Sequence, residues 1–503
     1  MPQLHHASLT ALDPRVAVPG YDRSALRSGI AHIGVGGFHR SHQAVYLDSL
    51  LNAGLAEGWG ITGIGLLPHD AAMRDVLQAQ DHLYTVVQKH PDGTLSPTVV
   101  GSLVDYLYAP DRPEAVLALL TDPALRIVSL TITEGGYHSD PTTGDLVLDE
   151  ALRRDLAPGA PPSTAFGYLV EALARRREAG VAPFTVMSCD NIQGNGALAR
   201  AMITAFARHR DEGLGQWIAS EVAFPNSMVD RITPVTTDAD RDALAREFGV
   251  EDAWPVVCEP FTQWVLEDDF PAGRPPFEAA GVQLVDDVLP YELVKLRLLN
   301  AGHQVLGHLG HLSGHRYAHE AAQDPTLAAV VLEYMTREAS PTLAPVPGLD
   351  LDAYRIGLLK RFANPEVRDS LSRLCTDASD RIPTFLLPVV RERLARGEDV
   401  RFAALAVAAW ARYAEGTDEL GEPITVVDRR AADVMARARR NRDEPLAFLE
   451  DEALFGDLRH DPAFTGPFSQ ALRSLHTHGV RATLKRWLDD AVVDGTSTPA
   501  EEH

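Results

Sequence analysis

Between residues 30 and 209, short apolar runs rich in β-branched residues alternate with stretches of helical periodicity, and past residue 285 the apolar runs cease. This alternation constrains the fold more than any other feature. A strand, a crossing helix and a second strand form a parallel unit, and repetition of that unit builds a doubly wound sheet covered on both faces. The strand-like runs are Ile30–Gly36, Trp59–Leu67, Leu83–Gln88, Thr98–Tyr108, Leu125–Thr133 and Phe184–Cys189. Arg40–Asn52, Asp70–Ala79, Ala165–Ala179 and Ala197–His209 read as helices. Later segments read as helix alone: Tyr291–Leu309, Pro325–Glu338, Leu351–Phe362, Pro383–Arg396, Phe402–Ala414 and Ala431–Arg440. The expected architecture is an α/β domain over 1–289, with an irregular N-terminal extension over 1–28, followed by a mostly α-helical domain over 290–503. The tail Asp494–His503 is small and polar and is expected to fray.

The formal net charge of -24 opposes nucleic-acid binding, which needs surplus Lys and Arg to neutralise phosphates. Three cysteines, Cys189, Cys258 and Cys375, lie far apart and suggest neither a disulfide framework nor a CxxC metal site. A reducing compartment follows from that usage. The first 25 residues hold no apolar core of a signal peptide, and no run approaches the roughly 18 apolar residues of a membrane span. A cytoplasmic protein without membrane association is expected.

The stretch IAHIGVGGFHRSHQA (30–44) follows the G-x-G-x-x-G pattern for two glycines, Gly34 and Gly36, and then departs from it with His39. The first glycine permits a tight turn, and the second lets the backbone approach a pyrophosphate. A helix starting near Arg40 would aim its free N–H groups at that anion. The third glycine ordinarily lets helix and strand pack closely, so His39 predicts a wider gap or a displaced helix start. A plain Gly-rich βα turn explains these residues equally well; the position after a strand and before a helix favours a dinucleotide site. The acid nearest the end of the second strand is Asp70, a candidate for the ribose hydroxyls and equally a first-turn helix acid. No Arg or Lys lies at Leu66–Asp70 to meet a 2′-phosphate, although Arg74 is near. NAD is therefore expected, with NADP as the alternative.

The segment PYELVKLRLLNAGHQVLGHLGHL (290–312) carries leucines on every side, the mark of a buried helix. At about 100° per residue and with Lys295 as zero, Glu292 falls near 60°, His303 near 80° and Asn300 near 140°. A lysine in such a helix is costly unless paired or neutral, and burial lowers its pKa toward the range of a general base. An asparagine amide can donate to an oxygen that gains charge. A solvated face with a Glu292–Lys295 ion pair explains the same spacing. His308, His311, His315 and His319 have spacings that zinc accepts, but Gly307, Gly310 and Gly314 argue against a regular helix there, and no HExxH occurs. No metal is expected.

Taken together, GVGGFHRSHQA (34–44), SLTITEGGY (129–137), SCDNIQGNG (188–196), FPNSMVDRITP (224–234), EPFTQWVLEDDF (259–270) and YELVKLRLLNAGH (291–303) resemble the polyol-specific long-chain dehydrogenases, the mannitol dehydrogenase family. They run in family order over most of the chain. The resemblance implies a Rossmann-type dinucleotide-binding domain, a mostly helical substrate-binding and catalytic domain, and a cleft between them. It implies zinc-independent oxidation of a secondary alcohol of a linear polyol to a ketose. The family's catalytic lysine matches Lys295, its oxyanion-stabilising asparagines Asn191 and Asn300, its motif histidine His303, and its proton-relay glutamate Glu292. Asp230 and Arg373 match substrate-side residues. The family turn G-x-G-x-F-H-R makes His39 ordinary and assigns Gly34, Gly36, Gly37 and Phe38, with Asp70, to the cofactor. Gln193-Gly194 stands where many relatives have Pro-His, and Pro68-His69-Asp70 lacks paired acids.

The expected reaction is interconversion of D-mannitol and D-fructose with NAD, Lys295 serving as general acid and base. D-arabinitol 4-dehydrogenase, D-sorbitol oxidation and fructuronate (hexuronate) reductase are the alternatives within the family. A non-catalytic nucleotide- or sugar-binding protein and a zinc alcohol dehydrogenase are the alternatives outside it. A monomer is expected, with a homodimer as the alternative.

Overall fold

The computed structural model describes residues 3–140, 143–157 and 159–493. The tail Asp494–His503 lies outside the described residues. Two compact units divide the chain, Met1–Leu289 and Pro290–His503.

The first unit holds the strands β1 (Arg27–Ile33), β2 (Trp59–Gly65), β3 (Tyr84–Lys89), β4 (Leu95–Val100), β5 (Leu103–Tyr108), β6 (Ile127–Leu130), β7 (Thr185–Ser188), β8 (Ser227–Asp230), β9 (Val256–Cys258), β10 (Gln263–Glu267) and β11 (Gln283–Val285). Five of them form a parallel sheet in the order β5-β2-β1-β6-β7. The chain winds outward from β1 in one direction and then from β6 in the other, so the sheet is doubly wound and its switch point lies between β1 and β6. Neighbouring residues serve opposite faces: Ala31, Val128 and Val186 join one core cluster, and Ile30, Ile127 and Met187 the other. Helices 113–121, 165–179 and 195–210 cover the first face through Val116, Leu120, Phe166, Leu173, Ile203 and Phe206.

Two readings from the sequence need correction here. Thr98–Tyr108 is not one strand. Gly101 and Ser102 divide it, and β4 pairs antiparallel with β3 in a second sheet while β5 joins the parallel one. Each half is apolar and β-branched, so the pattern did not show the change of sheet. The helix read as Arg40–Asn52 is two, Gly37–Ser41 and Gln43–Asn52, broken at His42 (φ -118°, ψ -92°). The break aims the His42 ring at the carbonyl of Gln263 (2.9 Å) and into the rings of Phe38, Tyr46 and Trp264.

The second unit is helical. Its centre is the helix Arg401–Tyr413, buried from Phe402 to Tyr413, which packs against Ala301–Leu312 and against Pro462–Val493. The last of these is absent from the sequence reading. Gly466, Pro467 and Gly479 speak against it locally, and packing overrides them. Its backbone leaves the helical region at Gly479, where the Glu419 carboxylate caps Val480 N–H. Gly307 and Gly310 likewise fail to interrupt the helix 301–312. Gly310 faces Ala321 and Leu371 at a distance that leaves no room for a Cβ, and Gly307 faces Cys375 with little to spare, so both serve close packing. The left-handed Gly314 (φ +93°) lies just past the end of this helix.

Candidate active site

The glycine turn leaves the carboxyl end of β1 at the switch point. Gly34 has φ +95°, and a Cβ there would overlap the carbonyl oxygen of Thr131 at the end of β6. Its N–H donates to the Ile64 carbonyl of β2 at 3.2 Å, so the turn is tied to both neighbouring strands. Gly36 is different. It is exposed, caps the short helix 37–41 with no side-chain ligand, and a Cβ there would meet nothing nearer than 3.9 Å. The turn therefore presents bare backbone at the edge where doubly wound sheets bind nucleotides.

His39 fills the gap left by the missing third glycine. Its ring stacks on His32 of β1, with centroids 3.4 Å apart and planes 11° apart. His32 is fixed in turn by Ser129 Oγ (2.8 Å) and Thr131 Oγ1 (2.9 Å). Burial keeps both rings neutral: it pushes the His32 pKa down to about 3 and lowers that of His39 well below the usual imidazole range. A pair of neutral imidazoles thus lies between the short helix and the strand.

Asp70 opens the helix 70–79 and accepts from Leu66 N–H (2.9 Å) and Leu67 N–H (2.8 Å) with one oxygen, while the other lies 3.6 Å from His69 Nε2. It shapes the loop after β2. Asn191 is exposed just past β7, on the same edge of the sheet as the glycine turn. Asp230 is buried at the end of β8.

Four candidates of the second unit share one helix. From Leu289 to Leu312 the chain is continuously helical, with a π-helical turn over Lys295–Asn300. In that turn hydrogen bonds close over five residues instead of four, so Lys295 and Asn300 move toward one face, closer than the 140° expected for an α-helix. Tyr334 Oη donates to the Arg297 carbonyl inside the turn at 3.2 Å, and Arg297 itself reaches Thr342 O and Glu392 at 2.7 Å. Glu292, Lys295, Asn300 and His303 are each at most 9% exposed, which removes the reading of a solvated face. His303 lies against Phe362, with ring centroids 4.2 Å apart. The Nδ2 of Asn300 is buried without a hydrogen-bond partner. A buried amide donor left open costs roughly 1–3 kcal/mol and is rare in native proteins. Arg373 sits on the short helix 371–374 and is paired through Nε and Nη2 with Asp369.

Among the described residues no group of three or more His, Cys, Asp or Glu side chains gathers as a metal site. His308 donates to the Gln304 carbonyl at 2.9 Å and is held neutral by burial, with its pKa near 4; His311 packs edge-on to Tyr413.

Residues 28–279 match the model of the mannitol dehydrogenase Rossmann domain, and residues 287–476 that of the mannitol dehydrogenase C-terminal domain. This chain belongs to the mannitol dehydrogenase family. A mannitol 2-dehydrogenase of Phaeosphaeria nodorum is 47% identical over 96% of this chain and 85% of its own length. One from Aspergillus fumigatus is 45% identical over 94% of this chain and 96% of its own length. The Pseudomonas fluorescens mannitol 2-dehydrogenase, solved as a ternary complex with NAD and D-mannitol, is 45% identical, covers 97% of this chain and 100% of its own, and superposes with a TM-score of 0.87. A D-sorbitol dehydrogenase in substrate-free form is 38% identical over 96% of this chain and 100% of its own, with a TM-score of 0.89.

Several buried or half-buried polar residues of this mannitol dehydrogenase family member escaped the sequence reading. Asp190 accepts from Ile132 and Thr133 N–H (3.1 and 2.8 Å) and from Tyr137 Oη (2.7 Å), joining the loop after β6 to the turn that carries Asn191. Asn195 ties that turn to β8 through Asp190 O and Ser227 O at 2.9 and 2.8 Å. Asn226 is held by the Glu267 carboxylate and accepts from Ala197 N–H at 3.0 Å. Arg231 donates to Glu259 O (3.1 Å) and to Ser41 O (2.6 Å), the last carbonyl of the helix 37–41. The only signal was the density of Asn and Asp between apolar runs, which reads equally as ordinary turn chemistry.

Proposed function

We propose that this chain interconverts D-mannitol and D-fructose with NAD as its redox partner. The observation that carries the chemistry is the open amide of Asn300, buried one π turn from the Lys295 amine on a single helix. An unfilled donor beside an amine suits an alcohol oxygen that becomes charged as its proton leaves. The likeness to a complex holding NAD and D-mannitol places mannitol ahead of arabinitol and fructuronate as substrate.

In this reading the backbone of Gly34, Gly36, Gly37 and Phe38 receives the pyrophosphate, and Asp70 lies on the ribose side. The fit rests on the open backbone at Gly36 and on a helix start that has no side-chain cap. When bound, nicotinamide supplies the hydride acceptor for polyol oxidation. Lys295, as a neutral amine, takes the hydroxyl proton. Asn300 and Asn191 donate to the oxygen as charge builds. Glu292 passes the proton toward water, and His303, Asp230 and Arg373 hold the neighbouring hydroxyls. The protein supplies position and electrostatics.

We further propose a cytoplasmic location; all three thiols are free and buried, and among the described residues no helix is long and apolar enough to cross a membrane. A monomer is proposed. The test is formation of the reduced-nicotinamide absorbance over a panel of mannitol, sorbitol, arabinitol and fructuronate with NAD and NADP. Mannitol with NAD is expected to give the highest kcat/KM; no signal with any polyol would leave only a binding protein.

A further inference from the structure

At the ribose end of the proposed cofactor site stands a cation that is already occupied. The 2′-oxygen of the adenosine ribose in a doubly wound fold is read by residues following the second strand, where an acid favours a free hydroxyl and an arginine accommodates a phosphate. Here β2 ends at Gly65, and the helix 70–79 that follows carries Arg74 in its second turn. The guanidinium lies over the ring of Tyr108, the last residue of β5, at 5.2 Å from its centroid. Nε and Nη2 engage Asp75 at 2.8 and 2.7 Å, and Nη1 engages Asp111 in the loop after β5. The side chain is 24% exposed, whereas Asp75 and Asp111 are 66% and 57% exposed. Asp70 lies one helical turn away, with one oxygen already on the Leu66 and Leu67 amides. The guanidinium is thus paired with two exposed carboxylates.

We propose that Arg74 is a latent 2′-phosphate cation and that Asp75 and Asp111 determine the dinucleotide preference by occupying it. The proposal rests on the reading of this edge as a dinucleotide site. A phosphate arriving at this corner meets carboxylates already seated on the guanidinium fork, and like charge opposes it. An unphosphorylated ribose meets no such opposition. The preference for NAD is then set by anions that neutralise an arginine already present. The sequence reading noted Arg74 near Leu66–Asp70 but could not show that Asp75 and Asp111 occupy it.

The experiment uses the full chain and four variants: Asp75→Asn, Asp111→Asn, the double variant, and the double variant with Arg74→Ala added. Affinities for 5′-AMP and adenosine 2′,5′-bisphosphate are measured by calorimetry, and kcat/KM for NAD and NADP with mannitol by absorbance. The double variant is expected to shift both ratios about tenfold toward the 2′-phosphate, the scale two exposed carboxylates reach together. Arg74→Ala in that background is expected to erase the gain. Unchanged ratios in the double variant, or a gain that survives Arg74→Ala, would overturn the proposal. A shifted binding ratio in a chain that oxidises no polyol would refute the catalytic reading and still support this one.

Discussion

The glycine turn and the π turn build polar surface by opposite means. At Gly34 and Gly36 the chain omits side chains, so that backbone is bare at the edge of the sheet. At Lys295–Asn300 it keeps side chains, buries them, and changes the helical repeat so that two of them approach one face. The first device rests on sterics: Gly34 is hemmed in by Thr131, whereas a Cβ at Gly36 would meet nothing nearer than 3.9 Å. The second rests on tertiary contacts, because Tyr334 and the partners of Arg297 hold a turn that the local sequence does not favour. A binding edge can therefore be assembled from the local rules of a βα turn, whereas a reactive pair needs neighbours to hold it.

The largest effects should come from the π turn. Lys295→Ala is expected to lower kcat by at least about a hundredfold, and Asn300→Ala by about a hundredfold, with little change in dinucleotide affinity. Steady-state kinetics and dinucleotide titration check both. Near-normal turnover in either variant would break the contrast between a reactive pair and a binding edge.

The two glycines should separate stability from binding. Gly34→Ala forces a left-handed residue against Thr131 and is expected to cost about 2–3 kcal/mol in urea unfolding. Gly36→Ala meets no obstruction, so its stability should stay within about 0.5 kcal/mol while the KM for NAD rises several-fold. Equal unfolding midpoints for the two variants would show that the turn is not sterically tied to β6.

The smallest effect compares the units through one buried histidine each. Burial pushes the folded-state pKa down to about 3 for His32 and about 4 for His308, against about 6.5 for a free imidazole. The unfolded chain therefore takes up these protons first as the pH falls. Stability is full above about pH 6.5 and declines toward about pH 4, by about 1.4 kcal/mol per pH unit for each ring. In urea titrations between pH 7 and 5, His32→Gln and His308→Gln should each flatten that slope by about this amount. A slope that neither replacement alters would mean that the rings ionise normally in the folded chain.

Much of the architecture was legible because it repeats local rules. Asp70–Ala79, Ala165–Ala179 and Leu351–Phe362 are helices with the limits read from periodicity, and the Gly34 turn follows a strand as its pattern requires. Local rules failed where packing outweighed them. Gly307 and Gly310 looked like breakers but serve close packing, and the helix 462–493 runs past Pro467. The division between β4 and β5 changes sheet without changing composition.

By itself the sequence determined the alternation of strands and helices in the first half of the chain, the glycine turn and the chemistry on offer at Glu292, Lys295, Asn300 and His303, because these depend on residue type and short spacing. Tertiary structure alone decided that His32 and His39 would stack, that Asp75 and Asp111 would claim Arg74, and that the helix would widen at Lys295. Each of these depends on a partner or a backbone repeat set by distant packing, and no periodicity within one segment encodes which distant side chain arrives.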